Sequence, residues 1–489
     1  MHWYEYLVLL IYLLALGYLF IYSLGQLHLT LKYLKVRKSN PQPIPVLTSF
    51  PKVTIQLPVY NEKYVIERLI DAVCKIDYPL DRLEIQVLDD SDDETVDLAK
   101  EKINYYQSIG VDITHIQRAE RKNYKAGALA YGMEIAKGEF LAIFDADFTP
   151  NPNFLIKTIP YFTIPEIGMV QTRWGHINRN YSFFTRMQAF GLDAHFTVEQ
   201  TGRNSVNSFI NFNGTGGVWR KSCIIDAGGW SADTLTEDLD LSYRAQINGW
   251  KFKYHEAVES LAELPILMPA IKSQQYRWNK GAAETSKKLL LRVYRQKLPF
   301  MTKLHATFHL LNSSVFLFLL IVGILSIPLM LIKFNHPQLD ILFKVANLFL
   351  LGFFSIGFYF WVASKRTPYT SIKESFIKTF FSFMTISMGL SLYNSLAVLE
   401  GFIGYKTPFI RTPKFNATNS NSGPKNNSYV NYKLELATII ELLLGIYFLA
   451  AIVLGFYLND LGLVIFHAML AMGFITISYQ SLRANWNAS

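Results

Sequence analysis

The chain reads as an α/β domain inserted between transmembrane α-helices, and three observations carry that expectation. Tyr6 to Leu24 is an uncharged apolar run of membrane-spanning length, and further runs of this kind follow Pro299. From about Lys52 to Pro299, strand-like and helix-like segments alternate, implying a mostly parallel sheet with helices on both faces. The composition agrees, with 51% hydrophobic and only 17% charged residues.

Residues 1–40 hold the first apolar run and its basic flank. Because Lys32 to Lys38 follows the run and no basic residue precedes it, a retained anchor is expected, with the N-terminus outside and the next block cytosolic. Residues 41–299 form that block. VTIQLPVY, LEIQVLDD, DITHIQ and EFLAIFDAD read as strands, and VIERLIDAVCKI, TVDLAKEKINYYQSI and AGALAYGMEIAKG as the helices between them. In such sheets a ligand sits beyond the carboxyl ends of the strands. Asp89, Asp90, Asp145 and Asp147 all fall at such ends.

Residues 300–364 are expected to form a transmembrane hairpin from Ser313–Ile332 and Ile341–Ala363, and residues 434–489 a second from Leu434–Tyr457 and Leu461–Leu482. Between them, in 365–433, lies Thr379–Leu399, long enough to span but rich in Ser, Thr, Asn and Tyr. The basic residues from Lys406 to Lys433 argue for a cytosolic flank. Ile372 to Gly404 is therefore expected as amphipathic interface helices, polar groups toward water or the catalytic domain and Phe, Leu and Met toward lipid. NATNSNSGPKNNS, Asn416 to Ser428, reads as a flexible cytosolic loop. The count is five spans, with a cytosolic C-terminus.

The net charge of +9 is scattered or lies beside apolar spans, which suits membrane lipid and phosphorylated substrates and not nucleic acid. Cys74 and Cys223 stand far apart, without metal-ligand or disulfide spacing.

Four segments could carry chemistry. Asp145-Ala146-Asp147 closes a strand with paired carboxylates, suited to a divalent cation that accepts phosphate oxygens as further ligands; a simple turn is the bland alternative. Asp89-Asp90, with Tyr60 and Glu62 from the preceding strand-loop, offers carboxylates and an aromatic for a nucleobase, or merely an Asx-turn. Arg118, Arg121, Lys122 and Lys125 precede a helix, where a diphosphate finds positive charge and backbone donors. Thr236-Glu237-Asp238, after the glycine-rich FNGTGGVWR, can supply a general base, a helix cap, or both.

QLPVYNE, LDDSDDET, DAD, TEDLDL and QQYRW, in that order, resemble glycosyltransferase family 2, and more narrowly its membrane-embedded processive synthases of the cellulose synthase-like kind. VQTRWGHIN, FNGTGGVWR and QQYRWNKG are similar to the glucomannan and mannan synthase branch. The resemblance implies a GT-A-type domain and an inverting, metal-dependent hexosyltransferase. It would move a sugar from UDP-glucose or GDP-mannose onto a growing β-linked polysaccharide and export it, with Mg²⁺ or Mn²⁺ as cofactor. It implies Asp238 as catalytic base and Asp147 as metal ligand. Tyr60, Glu62, Asp89, Asp90, Lys125, Asp145 and Arg277 would contact the nucleotide sugar, and Trp219, Glu237, Gln274 and Trp278 the oligosaccharide or polysaccharide acceptor. Phe409, Thr412 and Lys414 would form a gating loop. A multi-pass location follows, in the cell membrane of a bacterium or the Golgi or plasma membrane of a eukaryote, with room for accessory export subunits. Transfer of one sugar to ceramide or a polyprenyl phosphate is the alternative enzyme. A transporter is disfavoured because the spans carry almost no ionisable residues.

Overall fold

The structure is a computed structural model that describes residues 1–38, 44–339, 341, 343, 347–366, 375–417 and 435–486. Its centre is an eight-stranded sheet made of β1 (Val53–Val59), β2 (Leu83–Asp89), β3 (Ile113–Ile116), β4 (Phe140–Ile143), β5 (Thr149–Pro150), β6 (Ile167–His176), β7 (Gly217–Arg220) and β8 (Lys251–Ala262). The spatial order is β3-β2-β1-β4-β7-β6-β8-β5. The alternating region gives the parallel half, β3 to β4. The other half is mixed: β7 runs antiparallel to both neighbours, β6 and β8 are parallel, and β5 caps the edge antiparallel.

β1 and β2 are buried on both faces, as parallel strands under helices must be. Their few polar side chains are paired by register. Thr54 stands beside Glu84 and donates to it at 2.5 Å, and Gln56 stands beside Gln86 and donates at 3.0 Å. Buried polar groups are tolerated where they find such partners. The register also ends β1 and β2 together, Val59 opposite Asp89, so the loops that follow open on one cleft.

Among the described residues, four helices are long and apolar enough to cross a membrane: Trp3–Lys38, Ser314–Asn335, Leu436–Tyr457 and a C-terminal helix whose qualifying stretch is Val464–Ala484. The expected span Ile341–Ala363 appears as the shorter apolar helix Leu350–Ser364; residues 340, 342 and 344–346 lie outside the described residues.

The Ile372–Gly404 stretch, of which 372–374 lie outside the described residues, forms two helices, Phe376–Gly389 and Ser391–Ile403, bent by 50°. Phe376 begins beside Phe190 of the α/β domain, 6.3 Å between rings. The chain leaving Ile403 returns to the same domain, where Lys414 reaches Asp147. Both ends of the pair therefore meet the α/β domain. Between them the pair dips against the last helix, where Gly389 packs on the Gly473 backbone so closely that a side chain at 389 would clash. Of the two environments expected for the polar groups, Ser391, Asn394 and Ser395 are not in water, each at most 2% exposed, whereas Ile377, Leu396 and Ile403 are exposed. The helix that carries them packs against Met268–Arg295, within the 41–299 block. Of the Asn416–Ser428 loop, residues 418 onward lie outside the described residues.

Candidate active site

The carboxyl ends of β1, β2 and β4 build one wall of a cleft of about 200 Å³. Asn61, at φ 55°, turns the chain out of β1, and its backbone N–H donates to Ser91 Oγ at 2.8 Å. That bond ties the loop after β1 to the loop after β2. It sets Tyr60 and Glu62 beside Asp90 in the lining.

Adjacent residues at a strand end point to opposite faces, and the two aspartates after β2 divide accordingly. Asp90 lines the cleft, with both oxygens held by the Arg118 guanidinium, one from Nε at 2.9 Å. Asp89, expected at the nucleobase, does not line it. Its side chain is fully buried, accepting from the Ser91 N–H at 3.0 Å and bonding His115 Nε2 at 2.8 Å. It shapes the turn beneath the cleft. Above Asp90, the Arg121 guanidinium lies 3.3 Å over the Tyr60 ring, a cation–π stack that makes one flat wall.

The left-handed residues Asn123 and Tyr124 open the helix Tyr124–Ile135, and its first turn aims Lys125 into the cleft. The Lys125 ammonium donates to Asp145 at 2.6 Å and to the Gly214 carbonyl at 2.8 Å, with Glu237 at 3.8 Å. β4 ends at Ile143, so Asp145 and Asp147 stand on the turn beyond it. The Asp145 N–H is held by Thr215 Oγ1 at 2.9 Å.

Opposite them, Asp238 sits in the first turn of the helix Glu237–Ile247, its Oδ1 accepting from the Leu239 N–H at 2.8 Å. Burial and the neighbouring Glu237 carboxylate push its pKa up to about 7, against the pull of Lys125. A carboxylate poised there at neutral pH suits general-base work. Gly214 lets Lys125 and Asp238 share this space: it has φ +81°, and a Cβ there would stand 3.1 Å from Asp238 Oδ2. Gly214→Ala would place an L side chain in a left-handed conformation, about 1–2 kcal/mol of strain, against the Asp238 carboxylate. Turnover should fall with nucleotide affinity nearly unchanged, which steady-state kinetics beside equilibrium nucleotide binding would check.

A second, far larger cavity of about 1070 Å³ runs from this cleft between the apolar helices, to the Lys333–Asp460 pair. The two spaces share Trp174, Thr236, Asp238, Gln274 and Trp278 among their walls. Asp238 thus stands at the doorway between them. Gln274, Arg277 and Trp278 project from the helix Met268–Arg295, and Arg277 Nη2 donates to Thr412 at 3.1 Å. Of the segment Phe409–Lys414, Phe409, Arg411, Thr412 and Lys414 line the cleft.

Of the residues expected here, all but Asp89, Arg118, Lys122 and Trp219 line the cleft. Trp219, expected at the acceptor, is 0% exposed on β7 and packs against Phe212, Trp230 and Phe252 in the core. The indole that joins Trp278 at the doorway is Trp174, stacked on Phe196 at 4.8 Å. Trp174 lies within VQTRWGHIN, yet the sequence carried no mark separating it from Trp219. Arg411 was also not singled out, although it lies 2.9 Å from Glu62.

Comparison with known proteins agrees with this geometry. Residues 51–289 match the family described as glycosyltransferase like family 2. The chain is 44% identical over 268 residues to glucomannan 4-beta-mannosyltransferase 1 of Oryza sativa subsp. japonica, covering 54% of this chain and 51% of that protein. It is 43% identical over 254 residues to glucomannan 4-beta-mannosyltransferase 7 of Arabidopsis thaliana, covering 51% of this chain and 46% of that one. The chain spans about half the length of the curated relatives it matches. Among solved structures, a mannosyltransferase from Pyrobaculum calidifontis in complex with GDP-Man and Mn2+ shares the fold. The TM-score is 0.51 at 18% identity, with 76% of this chain and 99% of that one covered.

Proposed function

Residues 51–289 match glycosyltransferase like family 2, and on that premise we propose that the protein is an inverting hexosyltransferase that extends a β-linked polysaccharide from a nucleotide sugar and passes it into the membrane. The observation that carries this reading is the doorway: Asp238 lines both the polar cleft and the long cavity between apolar helices. A donor in the cleft and an acceptor end in the cavity would meet at that carboxylate. The mannosyltransferases above favour GDP-mannose as donor, with UDP-glucose the alternative.

In this reading Tyr60, stacked under Arg121, receives the nucleobase beside Asp90. Lys125 and Arg277 supply fixed positive charge for the diphosphate, preorganised where negative charge develops. Trp278 offers its face to the terminal sugar and Gln274 a hydrogen bond. Asp238 takes the proton of the attacking hydroxyl as that oxygen closes on the anomeric carbon from the side opposite the leaving diphosphate. The transition state is oxocarbenium-like and the configuration inverts. The fit to Mg²⁺ or Mn²⁺ rests on Asp147, whose carboxylate already holds a cation, the Lys414 ammonium at 2.6 Å. When bound, the metal supplies Lewis-acid stabilisation of the leaving diphosphate.

Orientation follows from where the donor is made. A cytosolic nucleotide sugar places the α/β domain in the cytosol, and the segment reaching Asp147 must lie on that same side. We therefore read Phe376–Ile403 as re-entering on the cytosolic face and not crossing.

The test is release of nucleoside diphosphate by the purified protein in lipid, offered labelled GDP-mannose or UDP-glucose with Mn²⁺ or Mg²⁺. One donor should support release, and excess chelator should abolish it. Asp147→Ala should weaken Mn²⁺ and nucleotide binding together, measured by titration of each. Full activity in excess chelator would overturn the metal assignment.

A further inference from the structure

Trp174 and His176 stand at the end of β6, and that strand end forms the cleft wall between Asp147 and Asp238. The Trp174 ring meets Phe148, next to Asp147, at 5.3 Å, and its indole N–H donates to the Thr215 carbonyl at 3.4 Å. Thr215 adjoins Gly214, whose backbone abuts Asp238. Alternate residues of a strand share a face, so His176 lies on the side of β6 that Trp174 presents to the cleft. Gly175, between them, faces Glu259 and Leu261. Across the ladder His176 stands opposite Ala262, which also lines the cleft.

The His176 side chain is only 1% exposed, and among the described residues neither ring nitrogen has a hydrogen-bond partner. The Asp193 carboxylate stands 3.7 Å from Nε2, beyond a hydrogen bond, and Arg179 already holds both its oxygens, at 2.7 and 2.5 Å. Burial, with Arg179 and Arg173 close by, holds the imidazole well below its usual pKa. The ring is therefore neutral and offers one donor and one acceptor. Buried polar groups nearly always find partners, and an orphaned one costs stability. Two orphaned atoms on one ring beside a ligand cleft call for a partner that arrives with the ligand. A hydroxyl matches, since its O–H donates and its lone pairs accept. An ionised diphosphate has no donor to give.

We propose that His176 is a specificity residue that pairs with one hydroxyl of the transferred hexose. This rests on the transferase reading for the presence of a nucleotide hexose in the cleft. With its diphosphate at Lys125 and Asp147 and its anomeric carbon toward Asp238, such a donor lays its sugar ring along the end of β6. The correct hexose satisfies the imidazole. A hexose that lacks the hydroxyl, or turns it away, leaves the buried nitrogens unpaired and is rejected.

The test measures nucleoside diphosphate release by the full chain in nanodiscs, from the donor that supports it and from analogues each lacking one hexose hydroxyl. The native chain should use one of these analogues at least about tenfold less efficiently in kcat/KM than the parent donor. His176→Leu should abolish that one penalty, by lowering use of the parent to the level of the analogue, and leave the penalties at other positions in place. His176→Gln, which keeps a donor and an acceptor, should restore part of it. Affinity for nucleoside diphosphate with Mn²⁺, a ligand without hexose, should be the same in all three chains. Without ligand, His176→Leu should unfold no lower than the native chain, because an apolar side chain there leaves nothing unpaired. Penalties unchanged in His176→Leu, a lowered unfolding temperature, or weakened Mn²⁺ binding would each overturn the assignment, and turnover of the parent donor would still support the transferase. No turnover of either GDP-mannose or UDP-glucose by the native chain would overturn the transferase reading and this inference together.

Discussion

Asp238→Asn should lower sugar transfer by about 10²–10⁴-fold, the usual contribution of a positioned general base, while nucleotide binding persists. The amide keeps the shape of the carboxylate and its bond from the Leu239 N–H, but cannot take a proton. The same residue sets a pH signature. With its pKa raised to about 7, Asp238 is increasingly protonated as pH falls below neutrality. A base works only deprotonated, so the rate should rise with pH along a one-proton limb near 7. Lys125 opposes the upward shift, so Lys125→Met should move the limb to higher pH as well as weaken donor binding. Residual activity in Asp238→Asn should lack the limb. Rate profiles from pH 5 to 9 under saturating donor would check all three.

Lys272→Met should destabilise the protein by about 3–5 kcal/mol, the cost of stranding a buried charge. Lys272 lies two residues before Gln274 on the helix Met268–Arg295. Its ammonium meets Glu441 at 2.8 Å, with side chains only 4% and 0% exposed, and lies 4.9 Å from the Tyr393 ring. Glu441 is an ionisable group within the helix Leu436–Tyr457, where a lone carboxylate is costly. The double change Lys272→Met with Glu441→Leu should recover most of the loss, since an apolar pair leaves nothing unpaired. Thermal unfolding in detergent across this mutant cycle would show a strong interaction term. Additive effects would mean that the pair does not tie Met268–Arg295 to the C-terminal hairpin.

The parallel half of the sheet was legible because each strand and helix there is a continuous periodic run, as in LEIQVLDD and TVDLAKEKINYYQSI. The mixed half was not: β7 is four residues that become a strand only by filling the gap between β4 and β6. Most cleft-lining residues were legible because their motifs sit at strand ends and helix starts, where chemistry collects. Asp89 misled because composition names two aspartates without saying which face of the strand each takes. Trp219 misled likewise, since an indole in a glycine-rich segment can close a core as readily as face a sugar. The resemblance brought the Phe409–Lys414 loop to the site but not the Lys414–Asp147 pair itself, because no local pattern says which carboxylate the lysine meets. For Ser391, Asn394 and Ser395 the sequence left water and the catalytic domain both open, because helix amphipathicity reports only that one face differs; here that face meets protein.

The central claim is that one carboxylate at a doorway builds a β-linked polymer from a nucleotide hexose. Its most direct test is size and linkage analysis of the product formed by the purified protein in lipid from labelled GDP-mannose, or UDP-glucose if that donor is turned over. The account predicts a β-linked polysaccharide many sugars long, absent with Asp238→Asn and shortened with Trp278→Ala. A product of one sugar on a lipid, or an α-linked chain, would contradict it.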